Sequence, residues 1–296
     1  MTREICSEPG LEAFEAARPR LQRLAYRMLG SVAEAEDAVQ DAWLRWRRVD
    51  PAAIDNPTAW LVSATTRLCI DRMRADRARR EAYVGPWLPD PLIEDIATDP
   101  VERAEDVSVA FLLALERLSP LERAVFLLHD VFDADYGAVA RTLKRSEAAC
   151  RQLAARARAH VREARPRFDA SQEDVARLAG AFLDAARRGD FAALSELLAE
   201  DAVLISDGGG KRKAALRPMV GREDVIGLLK GLAWRGAGWA GDAKVRLARI
   251  NGYLGAILEA EDGLMTVAFE PSGDGERLAA IYLLRNPDKL GHVGRG

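Results

Sequence analysis

The sequence is poor in the features that mark membrane, secreted and metal-binding proteins. Its 296 residues include three cysteines, Cys6, Cys69 and Cys150, which lie far apart. This spacing provides neither a disulfide framework nor a metal-ligand cluster and is typical of a reduced cytoplasm. No apolar run approaches the ~18 residues of a membrane span, and the N-terminal stretch M-T-R-E-I-C-S-E-P-G lacks a signal-peptide core. We therefore expect a cytoplasmic protein with no membrane segment, metal or cofactor.

The net charge of −3 conceals two basic segments that flank an acidic one. Residues 67–80 hold six arginines against two aspartates, and residues 141–167 hold nine arginines and lysines against two acids. Residues 81–106 hold eight acids against one arginine. Two basic patches indicate contact with a polyanion at two places, although charged runs are also common on solvated helix faces.

Helical patterns fill most of the first 165 residues, and no strand pattern appears before residue 200. Asn56-Pro57 and Ser119-Pro120 each suit the start of a helix. We predict a first helical domain at 1–80, an acidic, proline-containing linker at 81–106 and a second helical domain at 107–167.

The pattern changes after residue 171 to helices followed by strands. Helices are predicted at 172–188, 190–199 and 221–233, and strands near 243–250, 252–260, 263–269 and 276–285. This order predicts a separate α+β domain at 171–290, with a curved antiparallel sheet.

Residues 135–162 have the pattern of a helix-turn-helix. A short helix is followed by a tight connection at Lys144-Arg145, and Ser146 can cap the second helix. That helix is predicted to bury Ala149, Leu153 and Ala157. It turns to the other face the side chains that suit base edges in a major groove: Arg151, Gln152, Arg156 and Arg158. A purely structural basic hairpin has the same pattern.

Three blocks in this order resemble bacterial sigma factors of the extracytoplasmic-function group. They are L-A-Y-R-M-L-G-S-V-A-E-A-E-D-A-V-Q-D-A-W-L-R-W at 24–46, N-P-T-A-W-L-V-S-A-T-T-R-L-C-I-D-R-M-R at 56–74, and L-S-P-L-E-R-A-V-F-L-L-H-D-V-F-D-A-D-Y-G-A-V-A at 118–140. The resemblance implies a transcription initiation factor that carries RNA polymerase core to promoter DNA and assists its melting. A simple repressor is the alternative without polymerase, but it would not need the first block.

The resemblance also implies roles for individual residues. Docking on the β′ clamp helices of polymerase is implied for Glu36, Asp37, Gln40, Asp41 and Leu44. Recognition of the −10 element is implied for Asp55, Asn56, Trp60, Arg67, Arg72 and Arg74. Recognition of the −35 element is implied for Ser146, Arg151, Gln152, Arg156 and Arg158. Trp60 suits the protein core better than a base-stacking platform.

The C-terminal extension resembles a SnoaL-like domain, a cone of helices around a curved sheet. Its relatives include polyketide cyclases and isomerases, so a small-molecule enzyme or ligand sensor is the alternative function, with an unknown small ligand. Beyond residue 171 the domain has His292 as its single histidine and has no cysteine. Asp201, Asp207, Tyr253 and Tyr282 could take part in acid–base chemistry, but no base–orienter pair is evident, and no catalytic residue is predicted.

Three short motifs support the resemblance to sigma factors that carry such an extension, and we expect them to form interdomain contacts. The first motif should dock on the C-terminal domain, near one of the other two, or on the DNA-binding helices. The first is W-L-P-D-P-L, with Trp87, Leu88, Pro89, Pro91 and Leu92. The second is D-G-G-G-K, with Asp207, Gly208, Gly209, Gly210 and Lys211. The third is N-P-D-K-L, with Asn286, Pro287, Asp288, Lys289 and Leu290. The prolines hold the first motif extended, so that its apolar side chains need a partner surface; Trp87 could instead cover a helix of its own domain.

Overall fold

The computed structural model describes residues 8–50, 53–96, 107–164, 171–234, 244–260 and 263–293. The chain divides into two units, Met1–Glu81 with Ala114–Ala164, and Ala82–Leu113 with Arg165–Gly296. The first unit thus holds the predicted domain 1–80 and residues 114–164 of the second predicted domain. Residues 107–113 of that second domain and residues 82–106 of the predicted linker belong to the second unit. Cys6, residues 97–106 of the linker and residues 165–167 lie outside the described residues.

The first unit is helical. Its helices are α1 Glu8–Leu29, α2 Val32–Trp46, α3 Pro57–Ala75, α4 Arg77–Glu81, α6 Pro120–Phe126, α7 Tyr136–Leu143 and α8 Glu147–Ala164, with a π-helical turn at Leu127–Val131. Helix α5, Val109–Glu116, contains the boundary between the units. Side chains cap the helices where the sequence predicts a start, since Asn56 accepts from Ala59 N, and Ser119 and Glu122 form a capping box.

The helix-turn-helix is formed by α7 and α8. Lys144 ends α7 in the left-handed conformation, with φ of 52°, and Ser146 Oγ accepts from Ala149 N to cap α8. The predicted buried face of α8 is one position out of phase. Cys150 and Ala154 are fully buried with Ala157, whereas Ala149 and Leu153 are only partly buried. The core around α8 accommodates small side chains, whereas the prediction relied on hydrophobicity and therefore placed Leu153 in the core.

The second unit is built on one seven-stranded sheet, in the order β1-β4-β5-β6-β7-β2-β3. The strands are β1 Ile93–Glu94, β2 Leu198–Asp207, β3 Met219–Val220, β4 Lys244–Ile250, β5 Tyr253–Ala260, β6 Gly263–Pro271 and β7 Leu278–Leu284. The helices are α9 Gln172–Arg188, α10 Phe191–Leu197, α11 Arg222–Trp234 and α12 Pro287–Leu290. This is the predicted α+β, SnoaL-like domain.

Two details of the sheet differ from the prediction. Strands β2 and β7 pair in parallel, so the sheet is mixed and not wholly antiparallel. Strand β1 lies inside the predicted linker and pairs with β4 through Ile93 and Glu94, although no strand was predicted before residue 200. A two-residue strand has no periodicity to detect.

The sheet buries both of its faces. One face packs on α9, α10 and α11 around Phe182 and Phe269, whose rings are 5.3 Å apart. The other face is covered by Leu88 of the linker, Val109 of α5 and Leu290 of α12. The linker therefore supplies part of a hydrophobic core and is not a solvated tether.

None of the helices in the described ranges is long and apolar enough to cross a membrane.

Candidate nucleic-acid interface and linker anchor

Helix α8 presents three of the residues predicted to read the −35 element. Arg151 and Arg156 have side chains 57% and 63% exposed, and Gln152 is exposed beside them. Arg151 contacts Glu147 one turn away at 2.7 Å, and Arg156 lies 3.4 Å from Glu122 of α6. Exposed ion pairs of this kind are weak, so both guanidinium groups can exchange their carboxylate for a base edge.

Arg158 lies two turns after Arg151 on the same side of α8, where both side chains contact Tyr136, and is 38% exposed. Its Nε donates to Asp130 Oδ1 at 2.6 Å, and its Nη2 lies 3.2 Å from the Tyr136 hydroxyl. The hydrogen bond to Asp130 raises the pKa of the Arg158 guanidinium. Arg158 is thus paired with Asp130 of the π-helical turn, and its contact with the −35 element stays a prediction.

The start of α3 carries the first three residues predicted for the −10 element. Asp55 and Asn56 are exposed, and the Asn56 side chain caps α3. Trp60 is half-buried, and its ring lies 5.3 Å from that of the buried Trp46. Trp60 thus packs against Trp46 and is still partly accessible. Its position is intermediate between a core residue and a base-stacking platform, the two alternatives that the sequence left open.

The three arginines of α3 differ in what they contact. Arg67 donates to Thr142 O at 2.8 Å and to Arg141 O at 3.2 Å, both in α7. Arg72 donates to Asp41 Oδ2 at 2.7 Å and to Glu34 O at 2.9 Å. Arg74 is exposed, with Asp71 at 3.7 Å in the same helix. Only Arg74 therefore stands ready for a phosphate in this conformation.

Helix α2 presents the predicted polymerase-binding face. Glu36, Asp37, Gln40 and Leu44 are exposed along one side, and Leu44 is 45% exposed. Asp41 is partly buried by its ion pair with Arg72 and contributes less to that face. Beside it, α1 and α2 enclose a groove of about 540 Å³, lined among others by Leu11, Phe14, Gln40 and Trp43.

The helices of the two predicted DNA-binding domains also contact one another within the first unit. Arg123 of α6, with 3% of its side chain exposed, donates to Met28 O at 2.7 Å and to Glu116 at 2.8 Å. Arg80 donates to Leu29 O and to the same Glu116, both at 2.8 Å. Both arginines thus donate to backbone carbonyls at the end of α1, and Glu116 holds the two guanidinium groups together. Through Arg123 this contact joins α6 to the first domain.

In the second unit, a buried carboxylate brings together the three short motifs. Asp207 is fully buried, and its carboxylate accepts from Leu88 N at 2.9 Å and from Tyr83 Oη at 2.6 Å. Lys289 Nζ donates to the same carboxylate at 2.7 Å and to Leu88 O at 2.5 Å. We call these residues, Tyr83, Leu88, Asp207 and Lys289, the linker anchor.

Aromatic rings enclose the lysine of the linker anchor. Lys289 Nζ lies 4.3 Å from the ring centroid of Trp87 and 4.9 Å from that of Tyr83. Such cation–π contacts add to the ion pair when the ammonium is desolvated. Burial and the hydrogen bond to Asp207 raise the pKa of the Tyr83 phenol, which stays protonated and donates.

The glycines of D-G-G-G-K allow N-P-D-K-L to approach closely. A Cβ on Gly209, whose φ is +58°, would come within 2.3 Å of Asn286 Nδ2. Asn286 in turn donates to Tyr83 Oη at 2.8 Å. Other residues of the three motifs lie near this contact. Pro89 and Pro91 are buried, and Leu290 joins the core with Leu88. Pro287 opens α12, and Asp288 forms an exposed pair with Lys211 at 2.6 Å.

Asn251 makes a second attachment, which the sequence did not predict. Its backbone N donates to Leu92 O at 2.9 Å, and its side-chain Nδ2 donates to Val107 O at 3.0 Å. The start and the end of segment 92–107 are thus fixed at one residue. The signal in the sequence was the hairpin dipeptide Asn251-Gly252, and Asn251 indeed has φ of +50°. Tyr83 and His292, which contacts Pro91 O at 2.8 Å, were also missed as linker partners.

The residues considered for acid–base chemistry do not gather at one place. Asp207 belongs to the linker anchor, Tyr253 packs on Val175, and Tyr282 lies in the core beneath the linker. Asp201 is exposed. Among the described residues, no group of histidine, cysteine, aspartate and glutamate has a metal-binding arrangement.

Comparison with known proteins agrees with both halves of this architecture. Residues 13–79 match the family model of sigma-70 region 2, and residues 108–161 match that of sigma-70 region 4. The sigma factor SigJ of Mycobacterium tuberculosis is 40% identical over 291 residues, which cover 94% of this chain and 92% of SigJ. The probable sigma factor SigI of that species is 36% identical over 196 residues, which cover 64% of this chain and 67% of SigI.

A solved structure of SigJ extends the similarity to the whole fold. It superposes with a TM-score of 0.78 at 36% sequence identity and covers 95% of this chain and 98% of SigJ. The match includes the C-terminal mixed-sheet domain as well as the helical domains. The chain therefore belongs to the extracytoplasmic-function RNA polymerase sigma factors.

Proposed function

We propose that this sigma factor brings polymerase core to promoters through α2, α3 and α8, and that its C-terminal domain controls this step through the linker anchor. The observation that carries the second part is the buried contact of Asp207 and Lys289 with Leu88. It fixes the segment that connects the −10 and −35 recognition domains.

The face of α2 suits the β′ clamp helices. Exposed Leu44 gives an apolar centre, and Glu36 and Asp37 give an acidic rim. An apolar contact inside a charged rim is the usual anatomy of a protein interface.

Helix α8 suits the −35 element, since Arg151, Gln152 and Arg156 are exposed along one face. Bidentate pairing of arginine with guanine and of glutamine with adenine would give sequence selectivity. Promoter melting at the −10 element falls to the start of α3, where Asp55, Asn56 and the accessible part of Trp60 are located.

Arg156→Ala should weaken binding to the cognate promoter by about 1–3 kcal/mol, and binding to scrambled DNA much less. The physical reason is the exposed position of Arg156 on the recognition face. Arg187→Ala is the control, because it removes the same charge from an exposed position on α9, outside the recognition domains. The measurement is fluorescence anisotropy with both DNA duplexes. Equal losses on the two duplexes would make Arg156 a phosphate contact.

The first unit in this conformation cannot occupy both promoter elements. Arg67 joins α3 to α7, and Arg123 joins α6 to the end of α1. The positions after which the −10 and −35 elements are named differ by about 25 base pairs, or roughly 85 Å at 3.4 Å per base pair. Binding to both elements therefore requires these contacts to break.

The linker sets how far the two domains can separate. Segment 82–108 has 27 residues and could span at most roughly 90–97 Å when fully extended. Asn251 holds Leu92 and Val107 together, so the residues between them no longer add to the distance that the linker can span. The 12 residues left, at 82–92 and 108, span at most roughly 40 Å. Release of the linker from the C-terminal domain would restore the longer reach.

Trp87→Ala should raise promoter-dependent transcription several-fold, because it removes an aromatic ring from around Lys289 and weakens the linker anchor. Coupling between two sites is typically ~1–3 kcal/mol, which corresponds to roughly 5–150-fold. The measurement is run-off transcription with purified core polymerase and full-length protein. Trp87→Phe keeps an aromatic ring and should stay near the wild-type rate.

Wild-type activity of Trp87→Ala would remove the support for regulation through the linker anchor. A truncation at residue 170 is a poorer test than these point variants. The truncation would remove the C-terminal core against which Leu88 and Val109 pack and would leave both side chains exposed.

A further inference from the structure

We propose that the loop between β2 and β3 of the C-terminal domain is a third DNA-contacting surface, which binds the phosphate backbone. The loop, residues 208–218, holds Lys211, Arg212, Lys213 and Arg217 and no acid. Four basic residues in eleven is close to the density of residues 141–167, nine in 27, which contain the recognition helix. The proposal depends on the family's DNA binding and does not require control through the linker anchor.

The exposure of the loop's positive charges distinguishes it from the other basic segment at 67–80. The whole chain carries −3, so attraction of a polyanion must come from local patches. In the first basic segment, 67–80, Arg67, Arg72 and Arg80 are engaged with backbone carbonyls of their own unit. In the loop, Lys213 and Arg217 are exposed.

The loop is held in a fixed conformation that directs these side chains outward. Gly208 O accepts from Lys211 N at 3.0 Å and from Arg212 N at 3.1 Å, which closes a turn. Ala215 N donates to the buried Ser206 Oγ at 2.7 Å, and Arg285 Nη1 donates to Lys213 O at 2.6 Å. A cationic surface that is already ordered loses little conformational entropy on binding.

Phosphate is the chemistry that fits these residues best. Lysine and arginine are the main phosphate ligands of DNA-binding proteins, and each neutralised phosphate releases counterions from the duplex. The recognition domains of the same chain would also bring phosphate groups near the C-terminal domain at high effective concentration. An acidic protein surface is the competing occupant.

The test uses full-length protein and a fluorescein-labelled duplex of mixed sequence, with anisotropy titrations across a salt series. Lys213→Ala/Arg217→Ala should lower the slope of log K against log salt by about 1–2, since each phosphate contact contributes about 0.9. The matched control is Arg187→Ala/Arg246→Ala, which removes the same charge from exposed positions of the same unit. The control should keep the wild-type slope.

Two outcomes would overturn the proposal. One is an unchanged slope in the loop variant, and the other is an equal fall in the control, which would show general charge attraction. If the DNA slope is unchanged while binding of purified core polymerase weakens, the loop contacts an acidic protein surface and not DNA. Thermal unfolding of each variant checks that both retain the wild-type fold, and Lys213→Arg/Arg217→Lys should keep the wild-type slope.

Discussion

Asp207→Ala is expected to destabilise the C-terminal domain by about 3–5 kcal/mol, because it leaves the buried Lys289 without its countercharge. The variant also removes the acceptor of Leu88 N and Tyr83 Oη. Buried donors without an acceptor add to the cost. The measurement is denaturant unfolding of the full-length chain, followed by tryptophan fluorescence.

The chain offers a matched control for this prediction. Asp288 forms an exposed pair with Lys211, and their side chains are 61% and 55% exposed. Asp288→Ala should therefore cost only about 0–1 kcal/mol. Equal effects of the two substitutions would contradict the assignment of Asp207 as the centre of the linker anchor.

A double substitution separates the charge from the shape of the site. Asp207→Ala combined with Lys289→Met removes both charges, and replacement of a buried ion pair by apolar groups is often neutral. We expect the double variant to recover much of the stability that Asp207→Ala loses. A double variant as unstable as the single one would show that the hydrogen bonds of Asp207 to the linker outweigh the ion pair.

Leu44→Asp is expected to weaken binding to core polymerase by 30-fold or more, as about 2 kcal/mol or more is lost when a central interface residue is replaced. Leu44 is the exposed apolar residue of the α2 face. An aspartate in the last turn of α2 costs the helix about 0.3–1 kcal/mol, so the fold should persist. Binding is measured by titration of labelled sigma factor with purified core polymerase.

Leu247→Asp is the control, because it shows whether an aspartate in place of any exposed leucine weakens polymerase binding. Leu247 is 48% exposed on β4, close to the 45% of Leu44, but lies in the C-terminal domain. It should bind polymerase as the wild type does. Wild-type affinity of Leu44→Asp would show that the α2 face is not the docking site.

Sequence patterns predicted the elements well where one apolar periodicity governed a long segment. Helix α9, the start of α3 and the strands β4 to β7 were predicted in place, because each buries one continuous face and begins or ends at a recognisable cap or turn. The helix-turn-helix was predicted for the same reason. The phase of α8 was not, since its core positions are Cys150, Ala154 and Ala157, and small residues carry little hydrophobic signal.

The roles of the arginines could not be read from their positions alone. Arg67, Arg72 and Arg158 follow the pattern of DNA contacts but form hydrogen bonds inside the first unit. Partners such as Thr142 O lie far along the chain, and a backbone carbonyl leaves no trace in the sequence. Exposure in the folded state separates Arg74, Arg151 and Arg156 from them.

The three short motifs around the linker anchor were found because their composition contradicts their surroundings. An apolar, proline-rich stretch in an acidic linker needs a partner, and a glycine run permits close approach. Asn251, which ties the two ends of segment 92–107 together, was missed as a linker contact. An asparagine before a glycine is already accounted for by a hairpin turn, so the sequence gives no reason to expect a second role.

Hydrogen exchange at the Leu88 amide tests the central claim most directly. In the free protein this amide donates to the buried carboxylate of Asp207 and should be strongly protected. The measurement compares the free chain with the active complex of sigma factor, core polymerase and promoter DNA. If binding to both promoter elements requires release of the linker, protection of Leu88 should be lost in the complex. Undiminished protection of Leu88 in a complex that initiates transcription would contradict the account.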